Sequence, residues 1–243
     1  MTDLFVPLDD HPAYRQIANQ IEQRIVARSL RTGDALPSEA DLARQFGVNR
    51  STIREAIREL ETHGLLGRER GAKRLRVTLP KPSHVSSGVS RALALHDVTF
   101  PELWEAMMAI EPAAAQYAAA RRTAAQMQGL TRASARFKRE ITDTAAAVSA
   151  VVEFFTAVAA ASGNQVLALS QASLNLLLAP TLTQMIDRVP QARGRILEAQ
   201  RKIIEAIRLK KSEQARLWME KHIRDFKRGH ELEAPAVKPR QTS

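Results

Sequence analysis

Between Leu36 and Gly64, apolar residues recur at helical steps in two runs separated by Gly47, and this stretch constrains the chain most. In the first run Ala40, Leu42, Ala43 and Phe46 form the apolar side of a short helix. Ser38 stands where a hydroxyl can accept from the free N–H groups of the first turn. Gly47 ends the run and Val48 fills the corner. Asn49 can cap a second helix, in which Ile53, Ala56, Ile57 and Leu60 recur at three- and four-residue steps and must face a core. That burial leaves Arg50, Arg54 and Arg58 in an i, i+4, i+8 row on an outward face, with Ser51 and Thr52 at the helix start. A helix-turn-helix needs this layout, because the N-terminal half of its second helix meets base edges in the major groove. Arginine suits that position, since its planar fork pairs bidentately with guanine O6 and N7. An αα-hairpin with a solvated charged face satisfies the same periodicity. The flanking sequence shifts the balance.

Before this stretch, Ile17, Ile21 and Ile25 step by four and Val26 widens the stripe, which predicts a helix from about Pro12 to Leu30, ended by Thr32-Gly33-Asp34. After it, Gly64 is placed to close the second helix. Leu65-Leu66 and Leu75-Arg76-Val77 then read as two short strands around a tip, Arg68 to Arg74, with Gly71 in the turn. Arg68, Arg70, Lys73 and Arg74 make that tip basic, which suits the phosphate backbone or a minor groove. A solubilising loop accounts for it less well beside an arginine-lined helix.

Net charge agrees with a polyanionic partner: 36 Lys and Arg against 26 Asp and Glu give +10. The absence of cysteine excludes disulfides, thiol catalysis and Cys-ligated metal centres. The N-terminus is acidic and carries no long apolar run, unlike a signal peptide. Ala145 to Ala161, mostly alanine and interrupted by Glu153, falls short of the ~20 strongly apolar residues of a membrane span. The expectation is a cytoplasmic protein with no membrane partner.

Several motifs together resemble the winged helix-turn-helix of the GntR family. They are Tyr14-Arg15-Gln16-Ile17, Leu36-Pro37-Ser38-Glu39, Asp41-Leu42-Ala43, Gly47-Val48-Asn49-Arg50, Ile53 to Leu60, and Gly64-Leu65. The likeness runs through residues 11–79, after an N-terminal arm over 1–10. It implies that Arg50 and Arg54 touch bases or flanking phosphates, with Ser51 and Thr52 between them and Arg70 and Gly71 from the wing. Ser38, Arg58 and Lys73 complete the candidate DNA-contacting set. The position after Pro-Ser-Glu, basic in many relatives, is Ala40 here, so one contact is expected to be missing and operator preference to differ.

Prolines, serines and a glycine over residues 80–88 mark a linker. Beyond it, residues 89–232 read as helical throughout, near 90–96, 100–121, 124–139, 142–162, 165–186, 192–209 and 211–229, and 233–243 as a disordered tail. The fold class is thus mainly α: three helices and a small β-wing, then an all-α bundle. The helix over 142–162 is apolar nearly all round, as in the middle of a bundle. Asp97 to Trp104 with Ile110 to Ala115, Phe154-Phe155 with Ala161 to Asn164, and Ala215, Met219 and His222 resemble landmarks of the FCD effector domain in the FadR-type branch of that family.

Many FCD domains hold a divalent metal through an aspartate and a histidine four residues apart, with two later histidines. In this alignment those positions are Val151, Phe155, Gln200 and His222, and an anion-holding arginine becomes Met107. One histidine cannot assemble a metal site. The resemblance therefore implies a metal-free effector pocket at Met107, Val151, Phe155, Gln200 and His222, drier than in metal-binding relatives and suited to a small molecule with an apolar body. It further implies a homodimer on an inverted-repeat operator of double-stranded DNA, more often repressing than activating. Two other classes stay open: an architectural DNA binder without a ligand, and an enzyme using Glu111, Glu153 or His222, though no motif ties those three together.

Overall fold

The computed structural model describes residues 12–68, 74–80, 88, 89, 92, 93 and 95–233. The chain divides into two compact units, residues 1–85 and 86–243, with the division inside the segment read as a linker.

In the first unit, α1 spans Ala13–Val26, α2 Glu39–Phe46 and α3 Arg50–Thr62. α1 is shorter than its apolar pattern suggests. Ala27 caps it, Arg28 turns to a φ of 58°, and Val26 stands 75% exposed instead of widening the stripe. Ser38 caps α2, its hydroxyl accepting from the Asp41 N–H at 3.2 Å. Gly47 and Gly64 close α2 and α3 at φ 67° and 73°, a left-handed turn that costs glycine little. Asn49 occupies the N-cap position of α3, but its side chain makes no capping hydrogen bond.

Ile53 and Leu60 are fully buried and Ala56 and Ile57 nearly so, packed with Ile17 and Ile21 of α1 and Leu42 of α2. Each large side chain so buried contributes about 1.5–3 kcal/mol. β1, Leu66–Gly67, pairs antiparallel with β2, Arg76–Val77, and a bridge from Ala35 to Arg76 extends the ribbon. Of the wing tip read over 68–74, residues 69–73 lie outside the described residues, as do the N-terminal arm, most of the linker and residues 234–243. The expected helix over 90–96 is described only in part, with a helical bond from the His96 N–H to the Ala92 carbonyl at 3.1 Å.

The second unit is helical: α4 Phe100–Arg121, α5 Ala124–Arg139, α6 Thr144–Ala161, α7 Gln165–Arg188, α8 Ala192–Arg208 and α9 Ser212–Glu233. Capping boxes at Thr99 with Glu102 and at Thr123 with Gln126 set the starts of α4 and α5. Asp143 caps α6, which therefore begins two residues later than its composition suggests. α9 runs to Glu233, four residues past Gly229.

The helix at the centre is α4, which packs against α6, α7, α8 and α9. Ala114, Ala115, Ala118 and Ala119 are fully buried along it, small enough to let the neighbouring helices approach closely. α6 is a core helix but is not enclosed. Ser149, Thr156 and Ala160 form an outward stripe, and Glu153 beside them pairs with Arg136 at 2.9 Å. By length and composition α6 and α7 could both cross a membrane, with mean hydropathies of 1.7 and 1.4. α6 instead lies between α4, α5 and α7.

Candidate functional site

On α3, burial of Ile53, Ala56, Ile57 and Leu60 turns Arg50, Arg54 and Arg58 outward, all exposed, with Ser51 exposed and Thr52 half-buried. The row thus runs along the free side of the helix, where a major groove can take it. Ser38 is exposed too, but its hydroxyl is already engaged. It donates to Asp41 Oδ2 at 2.6 Å and, with Arg44 beside it, holds the Asp41 carboxyl below the usual carboxylate range. Arg70, Gly71 and Lys73 lie outside the described residues.

One residue absent from the candidate set stands among them. Glu39, at the start of α2, accepts from Arg54 Nε at 2.8 Å, and its other oxygen lies 3.7 Å from Arg68. The carboxylate therefore ties α2 to α3 and to the base of the wing. Glu39 is also the residue between Ser38 and Ala40 in the Pro-Ser-Glu motif, so its position was visible while its partners were not.

In the helical unit, Met107 from α4, Val151 and Phe155 from α6 and His222 from α9 line one cavity. α7 adds Leu178, Leu182 and Met185, and α8 adds Ile196 and Arg195. Its volume is about 30 Å³, room for about two waters. Gln200, expected beside these residues, does not line it. It is fully buried in α8, and both its amide atoms lack a hydrogen-bond partner.

His222 stacks on Phe155, ring centroids 5.7 Å apart and planes 8° from parallel. Burial pushes its imidazole down to about 4, against the opposing pull of Asp225, so the ring is neutral at neutral pH. The lining offers one imidazole and one carboxylate, His222 and Asp225, too few donors for a metal ion. Among the described residues no group of three His, Asp or Glu side chains is placed to hold one. The residues present do not fit the metal that many FCD domains carry.

Glu111 is separate from this lining. It is buried on α4 beside Gln171 of α7, with neither carboxyl oxygen in hydrogen-bond geometry to a partner. Burial pushes it up to about 8, and the nearby Gln171 only partly offsets that. Glu111, Glu153 and His222 thus have separate surroundings and form no acid–base constellation. Arg195 and Asp225 could not be found from spacing, because they meet the cavity only through the facing of α8 and α9.

The profile of bacterial regulatory proteins of the gntR family fits residues 13–73, and that of the FCD domain fits residues 102–225, just over half the chain. The HTH-type transcriptional repressor NanR of Cronobacter sakazakii is 29% identical over 177 residues, covering 71% of this chain and 68% of that protein. The mannosyl-D-glycerate transport/metabolism system repressor MngR of Escherichia coli is 47% identical over 55 residues, 23% of each chain. Among solved structures, Streptococcus agalactiae GntR superposes with a TM-score of 0.58 at 25% identity, over 88% of this chain and 99% of that one.

Proposed function

The chain belongs to the GntR family of bacterial regulatory proteins and carries that family's FCD domain, and on that premise we propose how it reads DNA and what it answers to. It is a DNA-binding transcriptional regulator, not an enzyme, whose operator affinity responds to an effector in the helical unit. The observation that carries the reading is the exposed Arg50, Arg54 and Arg58 row over the buried face of α3. Arg50 and Arg54 take bases or flanking phosphates, and the wing holds the backbone beside them.

The protein acts in the cytoplasm as a homodimer on an inverted repeat, because two recognition helices must match two half-sites. Val166 and Leu176 of α7, 72% and 58% exposed, are apolar side chains that a second copy can cover. Repression accords with the names of the relatives. The effector has a small apolar body, since the cavity is lined mostly by aliphatic and aromatic side chains. No metal is needed to bind it. Occupancy favours one arrangement of the dimer and so changes DNA affinity by linkage.

The test is capture of genomic fragments by the purified protein, then footprinting at several salt concentrations. Protected inverted repeats that survive raised salt support the reading. Protection without sequence preference, lost uniformly with salt, contradicts it. The small cavity volume favours one alternative, a DNA binder with no effector. Operator affinity unchanged across a broad metabolite screen selects it.

A further inference from the structure

The inner cavity shares three lining residues with an outer hollow. Arg195, His222 and Asp225 line both. The outer hollow, about 230 Å³ between α8 and α9, is completed by Glu198, Trp218 and Lys221 among others. Three polar side chains therefore stand between the solvent-facing hollow and an apolar interior.

Most charges around that mouth are already engaged. Glu198 accepts from Arg201 at 2.8 and 2.9 Å. Lys221 and Lys202 lie over the Trp218 ring, 5.0 and 5.4 Å from its centroid. His222 is neutral. Two opposite charges remain, an exposed Arg195 on α8 and a half-buried Asp225 on α9. Neither side chain has a hydrogen bond or ion pair with any described residue, and the two do not come within 4.0 Å of each other.

A purely anionic ligand at this mouth meets Arg195 favourably and Asp225 unfavourably, and a purely cationic one does the reverse. A ligand carrying both charges on adjacent atoms, with an apolar group attached, satisfies both residues. The interior, with room for about two waters, limits that apolar group to a short aliphatic one. We propose that the mouth between α8 and α9 is an α-amino-acid site. Arg195 takes the carboxylate, Asp225 takes the ammonium group, and the apolar side chain enters between Val151, Phe155 and Met185. The proposal rests on reading the helical unit as an effector domain and names the class of its ligand.

The probes are L-valine, isovalerate and isobutylamine, three molecules with the same branched end and different charges. Each is titrated into the full-length protein by calorimetry. L-Valine binds saturably, and the other two bind at least tenfold more weakly. Asp225→Asn lowers L-valine affinity to that of isovalerate, and Arg195→Ala lowers it to that of isobutylamine. Isovalerate binding as tightly as L-valine, or no saturable binding of L-valine, overturns the proposal. L-Valine binding that leaves operator affinity unchanged keeps the amino-acid site and overturns its regulatory role. A different ligand that shifts operator affinity while L-valine fails to bind does the converse.

Discussion

Arg54 of the recognition helix donates from Nε to Glu39 Oε2 at 2.8 Å, so an arginine aimed at DNA is held in its free state by a carboxylate of the preceding helix. The pair is partly exposed, at 59% and 30% for the two side chains, and by itself contributes little stability. Its consequence is for recognition. A DNA phosphate or base must replace Glu39 or share Arg54 with it, and Arg68 sits at the edge of the same carboxylate. A negative charge in the reading face also weakens indiscriminate binding to DNA.

Glu39→Gln frees Arg54 and Arg68 without removing a hydrogen-bonding side chain. Affinity for non-operator duplex is expected to rise several-fold. The slope of log K against log salt steepens by about 0.9 for each arginine that then neutralises a phosphate. Discrimination between operator and non-operator DNA falls. Fluorescence anisotropy over a salt series measures all three. An unchanged slope means that the freed arginines do not reach phosphate.

Stability should depend on pH through two buried groups with opposite slopes. Between 4.5 and about 8, folded Glu111 keeps a proton that the unfolded chain has released, so stability falls as pH rises through that window. Between about 4 and 6.5 the unfolded chain protonates His222 while the folded chain does not, so stability falls as pH drops. The two offset each other below 6.5. From 6.5 to 8 only the Glu111 slope remains, a loss of about 2 kcal/mol at ~1.4 kcal/mol per pH unit. Urea unfolding across pH 5–9 should show that decline in the parent protein. Glu111→Gln should remove it and expose the His222 slope on the acid side.

Gly229 of α9 faces Met185, whose Sδ would lie 2.5 Å from a Cβ at that position. Gly229→Ala must therefore push the Met185 side chain away from α9, and Met185 lines the cavity. A thioether chain can yield, so the helix preference for alanine over glycine, about 1 kcal/mol, offsets part of the packing cost. The melting temperature is expected to stay within a few degrees. Stabilisation by any cavity ligand is expected to be lost. Differential scanning fluorimetry with and without ligand separates the two effects.

Much of the architecture was legible in the sequence because it depends on local chemistry. The spans of α4 and α5 expected from their helical patterns agree with the structure to the residue, and the structure gives the reason in capping boxes at Thr99 with Glu102 and at Thr123 with Gln126. The buried face of α3 follows from four apolar residues at helical steps. Val26 shows the limit: it continues the α1 stripe in sequence, but α1 ends there and leaves it in solvent. The cavity was legible only through family resemblance, which brought Met107, Val151, Phe155 and His222 together and misplaced Gln200. Glu39 with Arg54, and Arg195 facing Asp225, depend on how separate helices meet, and no spacing along the chain records that.

The most direct test of DNA reading by α3 is operator affinity of Arg50→Ala beside the parent protein, with the oligomeric state followed by light scattering. Arg50 is exposed at the first turn of α3 and its side chain makes no hydrogen bond or ion pair with any described residue, so its removal disturbs DNA contact and little else. The expected result is a loss of about 1–3 kcal/mol in operator binding with the assembly and melting temperature unchanged. Unchanged operator affinity would contradict the docking of α3 in the major groove.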